Sequence, residues 1–483
     1  MRALLAFGVL ALAGCAAGPD FEAPAPDLPA AWQDPVLQGS DALPPAKWWR
    51  VFDDPVLDAL EDEAAAASPD LQTAALRFAQ GRVRRQMAAA QRGPQLDATA
   101  GASRQRQSEH GAGVRVIDAV APANRDQLVE LLAGPFDLFQ AGFDASWELD
   151  LWGRVRRSIE AADADVAASR ATFDGVRLAL QADVARTYFE LRAAQRELAL
   201  ARADLEAAGA HQQLLQARAD GGLASGLDAA RERAQLAGLQ AQLPPFEVEQ
   251  TNLMNQLALL LGEPPGALEA RLAVPDAADR ESREPPDLSA GLPSVLARRR
   301  PDIRAAEARL HAATAGIGVA VAELYPRIVL GGDFGYEALD ASDVGAWGSR
   351  RWSVGASLDL PLFDMGRRRS VVTLRKLQQQ EAAVDYQRTV LAAWHEIDTV
   401  VASYHGEHAS QGALTERVAA AREAWQLAQA RQESGLISEL QALEARRALL
   451  AAQREQAASA GRLAVRYVML CKALGGSESG DMN

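Results

Sequence analysis

Only two cysteines, Cys15 and Cys471, occur in 483 residues. That excludes a disulfide scaffold and a cysteine-rich zinc site. Basic residues are the scarcer charge, 50 against 64 acidic for a net of −14, so the chain lacks the basic stripe with which nucleic-acid-binding proteins meet phosphate. No stretch after residue 20 holds 18 consecutive apolar residues, and no transmembrane helix is predicted. Walker, zinc-protease and nucleophile-elbow patterns are missing. Gly316-Ile317-Gly318 is no nucleotide loop, because it falls inside a helical stretch with no strand before it. Carboxylates are abundant but form no recognisable catalytic pair. His405 and His408 share a helical face, with His395 nearby, but no third ligand accompanies them, and they read as a solvated face. The chain is therefore expected to be neither an enzyme nor a metal or cofactor carrier. With 48% hydrophobic and 24% charged residues, it is also too apolar for disorder.

The first residues form an address. Met1-Arg2 is a short positive region, and Ala3 to Ala13 is an apolar run of signal-peptide length. The run ends in Leu12-Ala13-Gly14-Cys15, which resembles the lipobox of bacterial lipoproteins. That resemblance implies cleavage before Cys15 and acylation of its thiol and new amine, a covalent lipid rather than a cofactor. Several acyl chains on one residue give stable anchoring where one does not. Ala16 follows, not the Asp that commonly marks inner-membrane retention, so the implied destination is the outer membrane. Cys471 then has no partner in the chain and reads as a small buried apolar residue.

The chain also contains itself twice. Ser68-Pro69-Asp70-Leu71 recurs as Arg300-Pro301-Asp302-Ile303, and Pro94-Gln95-Leu96 as Pro326-Arg327-Ile328, both at an offset of 232. Gly153-Arg154, Gly222-Leu223 and Leu261-Gly262 recur at Gly366-Arg367, Gly435-Leu436 and Leu474-Gly475, all at an offset of 213. Two constant offsets mean two homologous halves, the first carrying an extra stretch near 107–136 that reads as a loop. Each half predicts helix, strand, strand, very long helix, long helix. The helices are expected at Pro69 to about Arg92, Arg154 to about Ala219 and Leu227 to Leu261, and again at Pro301 to Leu324, Arg367 to Glu433 and Leu440 to Leu474. Ser68 is expected to cap the first of these. At 1.5 Å per residue each very long helix is a rod on the order of 100 Å, and the two shorter helices end to end nearly match it. Their Ala-rich faces need partner helices to cover them.

Between the helices the period changes to two. Phe143, Ala145, Trp147, Leu149 and Leu151 alternate with Asp144, Ser146, Glu148 and Asp150; Trp352, Val354, Ala356, Leu358 and Leu360 alternate with Ser353, Gly355, Ser357 and Asp359. Leu96 to Ser103 repeats the pattern, and Ile328 to Tyr336 does so less regularly. Such segments suit either a half-buried soluble strand or a transmembrane barrel strand. The lipobox and the tryptophans near strand ends (Trp147, Trp152, Trp347, Trp352) favour the barrel, the tryptophans as an aromatic girdle. Four strands cannot close a barrel, and an open edge in lipid costs several kcal/mol per unpaired group. Several chains must pool their strands; three copies would supply twelve. Asp97, Asp144, Glu148, Asp150 and Asp359 are then expected to face the lumen and favour cations.

These motifs together resemble the TolC-like outer-membrane efflux proteins, in the lipoprotein branch serving resistance-nodulation-division pumps. The run Arg299-Arg300-Pro301-Asp302-Ile303-Arg304-Ala305-Ala306-Glu307, on through Ile317-Gly318-Val319-Ala320 to Glu323-Leu324-Tyr325-Pro326-Arg327-Ile328, is the most specific match. Cys15, Gly18-Pro19-Asp20-Phe21, Lys47-Trp48-Trp49 with Phe52, Asp54-Pro55 and Trp147 through Gly153 add to it. The resemblance implies a mainly α, internally duplicated fold: a homotrimer with a long α-helical periplasmic tunnel and a 12-stranded β-barrel in outer-membrane lipid, four strands per chain. It implies an equatorial belt from Phe21 to about Leu60, Glu263 to Gly291 and the tail. The division expected is a signal peptide 1–14, an N-terminal and equatorial segment 15–62, a first repeat 63–262, a linker 263–294, a second repeat 295–475 and a tail 476–483. The hairpin turns, Arg218, Gly222, Leu223, Ser225 and Leu227 in one and Arg431, Gly435, Leu436, Ser438 and Leu440 in the other, would dock a periplasmic membrane-fusion adaptor. The implied role is the passive exit duct of a tripartite drug or toxic-compound pump, driven by an inner-membrane proton-driven transporter. A duct for type I protein secretion and a lipid-anchored coiled-coil structural protein are the alternatives. Glu423 and Leu427 leave the periplasmic gate unassigned.

Overall fold

The computed structural model describes residues 16–24, 45, 47–111, 124–273 and 299–476. In chain order these residues form helices α1 (Pro55–Ala67) and α2 (Pro69–Ala90), strand β1 (Gln95–Gln105), helix α3 (Arg125–Ala133), strand β2 (Phe136–Leu149), helices α4 (Arg154–Asp220), α5 (Gly226–Leu261) and α6 (Pro301–Ala322), strands β3 (Arg327–Ala338) and β4 (Arg350–Asp359), and helices α7 (Arg367–Glu433) and α8 (Glu439–Ala473). The duplication is plain: α2-β1-β2-α4-α5 repeats as α6-β3-β4-α7-α8. The very long helices α4 and α7 each contain 67 residues. None of the helices is long and apolar enough to cross a membrane.

Two compact units divide the chain. The first gathers Met1–Glu22, Gly81–Val166 and Leu310–Ala382. Its centre is one sheet in the order β1-β2-β3-β4, every neighbouring pair antiparallel. Two glycines bring β2 and β3 together closely. A Cβ on Gly142 would stand 2.8 Å from Phe334 O, and one on Gly335 2.7 Å from Ala141 O. Arg85 Nε donates to Asp163 at 2.7 Å, tying α2 to α4.

The second unit, Ala23–Gln80, Ala167–Arg309 and Ala383–Asn483, is helical. Trp48, Phe52, Leu57 and Leu60 pack with Tyr188, Phe189, Leu257, Leu261, Leu272 and Tyr467 in its core. Each leucine fully buried there contributes roughly 1.5–3 kcal/mol. Asp54 accepts from Val56 N at the start of α1 and from the Tyr188 hydroxyl at 2.6 Å. Burial, then that hydrogen bond, pushes the Tyr188 phenol up to about 12. Arg300, buried before α6, donates to Ala473 O at 2.6 Å, to both Asp302 oxygens and to Glu396 at 2.6 Å. Cys471 is a free, wholly buried thiol, and desolvation pushes its ionisation well above the ordinary thiol range.

The structure adds detail to the sequence reading in three places. The belt segment up to about Leu60 holds a 3₁₀ turn over Trp48–Phe52 and then α1, which spans residues 62 and 63. Its signals are local: Asp54 caps, Pro55 opens the first turn, and Leu57, Leu60 and Ala64 share the buried face. The extra stretch near 107–136 is not all loop, because α3 forms within it around buried Val129. Ser68 both ends α1, its N–H donating to Ala64 O, and stands at the expected cap position of α2, its carbonyl accepting from Gln72 N.

Candidate functional site: the sheet faces and the hairpin turns

The register of the four strands sorts every side chain to one of two faces, because directly paired residues point the same way. One face carries Leu96, Phe143, Trp147, Leu330, Phe334, Trp352, Val354 and Leu358. All eight are exposed, Val354 to 80%. A soluble half-buried sheet would cover these side chains; among the described residues nothing does. Trp147 anchors to Arg92 O at 2.9 Å, and Trp152, just past β2, donates to Pro326 O at 2.8 Å and stacks on Tyr325. Trp347 and Trp352 lie at the other end of the sheet, around the start of β4.

The opposite face is polar. Asp97 pairs with Asp144, Asp144 with Asp333, and Asp333 with Ser353, in one row across all four strands. Thr99 donates to Asp144 at 3.1 Å, and the Ser353 hydroxyl to Asp333. Like charges directly opposite one another destabilise a sheet. Asp333 was not among the sequence candidates; only the register reveals it. Glu148 shares the polar face but is neutralised, by Arg154 at 2.8 Å and Arg327 at 2.8 Å. Asp359 shares the face too, paired with Arg327. Asp150 does not: it lies beyond β2, and its carboxylate accepts from the N–H groups of Val155 and Arg156 as a cap on α4. The strand stops at Leu149 because these helix-end donors capture the next acid.

Both edges of the sheet, on β1 and β4, lack a partner strand among the described residues. Exposed apolar side chains also recur every seven residues on two helices. Leu76 and Val83 do so on α2, followed by Met87, and Leu377, Val384 and Leu391 on α7.

The two hairpin turns are built alike. Leu223 N donates to Arg218 O at 2.7 Å and Leu436 N to Arg431 O at 2.8 Å; Gly222 and Gly435 both have φ +71. This left-handed residue closing a helix is the Schellman arrangement, which glycine adopts without strain. Ser225 then accepts from Leu227 N, and Ser438 forms a reciprocal capping box with Gln441. Leu223, Leu227 and Leu436 are exposed at the turns, while Leu440 and Arg218 are half-buried and Arg431 is exposed. Behind the first turn, Arg447 of α8 meets Asp204 of α4 at 3.1 Å and Glu232 of α5 at 3.3 Å, with His211 Nδ1 3.0 Å from Glu232. Cys15 lies outside the described residues.

The model of a family described as outer membrane efflux protein matches residues 60–263 and 292–476. The chain belongs to that family. This efflux protein is 34% identical over 453 residues to the pyoverdine export outer membrane protein OpmQ of Pseudomonas putida, covering 94% of this chain and 93% of OpmQ. It is 30% identical over 500 residues to the toluene efflux pump outer membrane protein TtgI of the same species, covering 100% and 99%. The solved outer-membrane channel OprN matches with a TM-score of 0.81 at 31% identity, over 96% of this chain and 99% of that one. It is thus an outer-membrane efflux channel.

Proposed function

We propose that three copies of this chain close one 12-stranded barrel and one helical tunnel, forming the passive exit duct of a tripartite pump. The observation that carries this reading is the sheet with a largely exposed apolar face and two edges that lack a partner strand among the described residues. Unpaired backbone groups in lipid cost several kcal/mol each, and strands from neighbouring copies satisfy them. The heptad-spaced apolar residues on α2 and α7 support the same closure along the helices, each stripe covered by the next copy. The exposed leucines at Leu223, Leu227 and Leu436 offer apolar knobs for an adaptor joined to an inner-membrane proton-driven transporter. Nothing in the sequence binds or hydrolyses ATP, so energy and substrate choice reside upstream. Small organic compounds are the cargo this reading favours, as the names of OpmQ and TtgI say of those relatives. Cys15 carries the lipid anchor.

Native mass of the detergent-extracted protein, with bilayer conductance on the same sample, tests this. A pore of about 150 kDa, three times the chain's 51.5 kDa, is expected. A monomer without conductance overturns it. The row of Asp97, Asp144 and Asp333 lines the lumen in this reading, so the pore should prefer cations. Replacing all three with Asn should move the reversal potential towards zero; an anion-selective native pore would sink the electrostatic assignment.

A further inference from the structure

Residues Ala16–Phe21 do not trail from the fold; they lie in a groove of the first unit. Ala17 N donates to Trp152 O at 2.9 Å, and Arg157 Nε donates back to Ala17 O at 3.2 Å. Arg157 also donates to Asp20 at 2.6 Å and to Glu160 at 2.7 Å. The Phe21 ring stacks on His311 with centroids 4.3 Å apart and planes within 10°. His311 Nε2 in turn stands 3.0 Å from Glu160. The fit is closest at two glycines. A Cβ on Gly18 would come 2.5 Å from Gly318 Cα, and one on Gly318 would come 2.7 Å from Ala17 O. Both contacts are with backbone, so neither side can yield cheaply. Gly18 further has φ +90, where other residues are strained.

A tether between a lipid and a fold needs none of this. Chain ends are ordinarily loose unless something ties them down, and a flexible linker leaves its cargo anywhere within reach. Here a six-residue segment is held by one backbone bond, a buried guanidinium, a ring stack and a glycine-on-glycine contact. The anchoring carbonyl belongs to Trp152, the residue that stacks on Tyr325 at 4.8 Å just beyond the strand ends. Tryptophan and tyrosine favour the headgroup level of a membrane.

We propose that Ala16–Phe21 is a strap that fixes the acyl anchor beside Trp152 and Tyr325, so that the groove, and not tether length, sets where on the protein the acyl chains enter lipid. The partner of this surface is the acyl chains of residue 15, one peptide unit and about 3.8 Å from Ala16. The proposal rests on the lipid-anchor reading above.

The experiment uses the full-length protein in membrane vesicles, from cells fed a fatty acid carrying a diazirine near its carboxyl end. The mass of the N-terminal peptide reports acylation before irradiation, and mapped cross-links report position afterwards. An acylated Cys15 is expected, with cross-links concentrated on Leu151–Gly153 and Leu324–Pro326. Releasing the strap should lower that yield roughly tenfold, as the local concentration of the chain falls. Gly318→Val releases it by filling the groove. Asp20→Ala combined with Phe21→Ala releases it from the strap side and leaves the helices untouched, so it answers even if the first variant fails to fold. An unacylated N-terminus overturns the lipid reading and this one with it. An acylated N-terminus with cross-links spread evenly, or with a pattern that survives the double variant, overturns the strap alone.

Discussion

Gly222 and Gly435 close the two hairpins with the same φ and the same pair of backbone bonds, yet the helices behind them are joined differently. Asp204, Glu232 and Arg447, with His211 beside Glu232, form a largely buried polar cluster on α4, α5 and α8. Shifted by 213 residues, Asp204, His211 and Glu232 become Arg417, Ala424 and Ala445, and Arg447 shifts back to Ala234, so the cluster has no twin. A turn is set by a few neighbouring residues and survives duplication intact. A helix contact depends on what lies opposite, and the two halves have acquired different neighbours.

The largest effect that could break this comparison is at Arg447. Arg447→Met leaves buried Glu232 and half-buried Asp204 without their cation, and should cost about 3 kcal/mol in urea unfolding. Ala234→Met, at the equivalent exposed position, should stay within about 0.5 kcal/mol. Equal losses would mean that the cluster does not distinguish the halves.

Glu61 extends the contrast to a segment outside the duplication. Its carboxyl is buried with no hydrogen-bond partner. Desolvation, then the charges of Asp62 and Asp58, raises it well above 4.5. Because the folded value is raised, the stability linked to this proton is complete below about pH 4.5 and is lost as pH rises through the folded value. Glu61→Gln should therefore raise stability at neutral pH by about 1–3 kcal/mol and flatten the pH profile of unfolding. A variant no more stable at pH 7 than at pH 4 relative to the native chain would refute the buried acid.

The smallest effect sharpens the likeness. A Cβ on Gly222 or Gly435 meets nothing within 4 Å, so only backbone strain opposes alanine. Gly222→Ala and Gly435→Ala should each cost about 1 kcal/mol, equal to within a few tenths. Unequal losses in thermal unfolding would show that one turn carries a contact absent from the other.

Much of this was legible in the sequence because it is local or repeated. The start of α7 at Arg367 and its end at Glu433 fall where breakers and the offset put them. The strands fall where the period of two begins, although β2 starts earlier, at Phe136, and ends before Leu151. Helix α1 was equally legible from Asp54, Pro55 and the Leu57 and Leu60 spacing, but its proline-rich surroundings hid it. Asp150 was misplaced because alternation continues past the strand, and no pattern in the sequence says that Val155 and Arg156 will claim it.

The sequence by itself determined the duplication, the helix and strand segments, the tight turns and the alternation that makes an apolar and a polar face. Those follow from periodicity and backbone chemistry within a few residues. Only the tertiary structure decided that Asp333 joins Asp97 and Asp144 in one row, that Arg447 bridges helices from different halves, and that Gly18 lies on Gly318. Each of these depends on register or approach between segments distant in the chain, and one residue of slip would send every side chain to the other face.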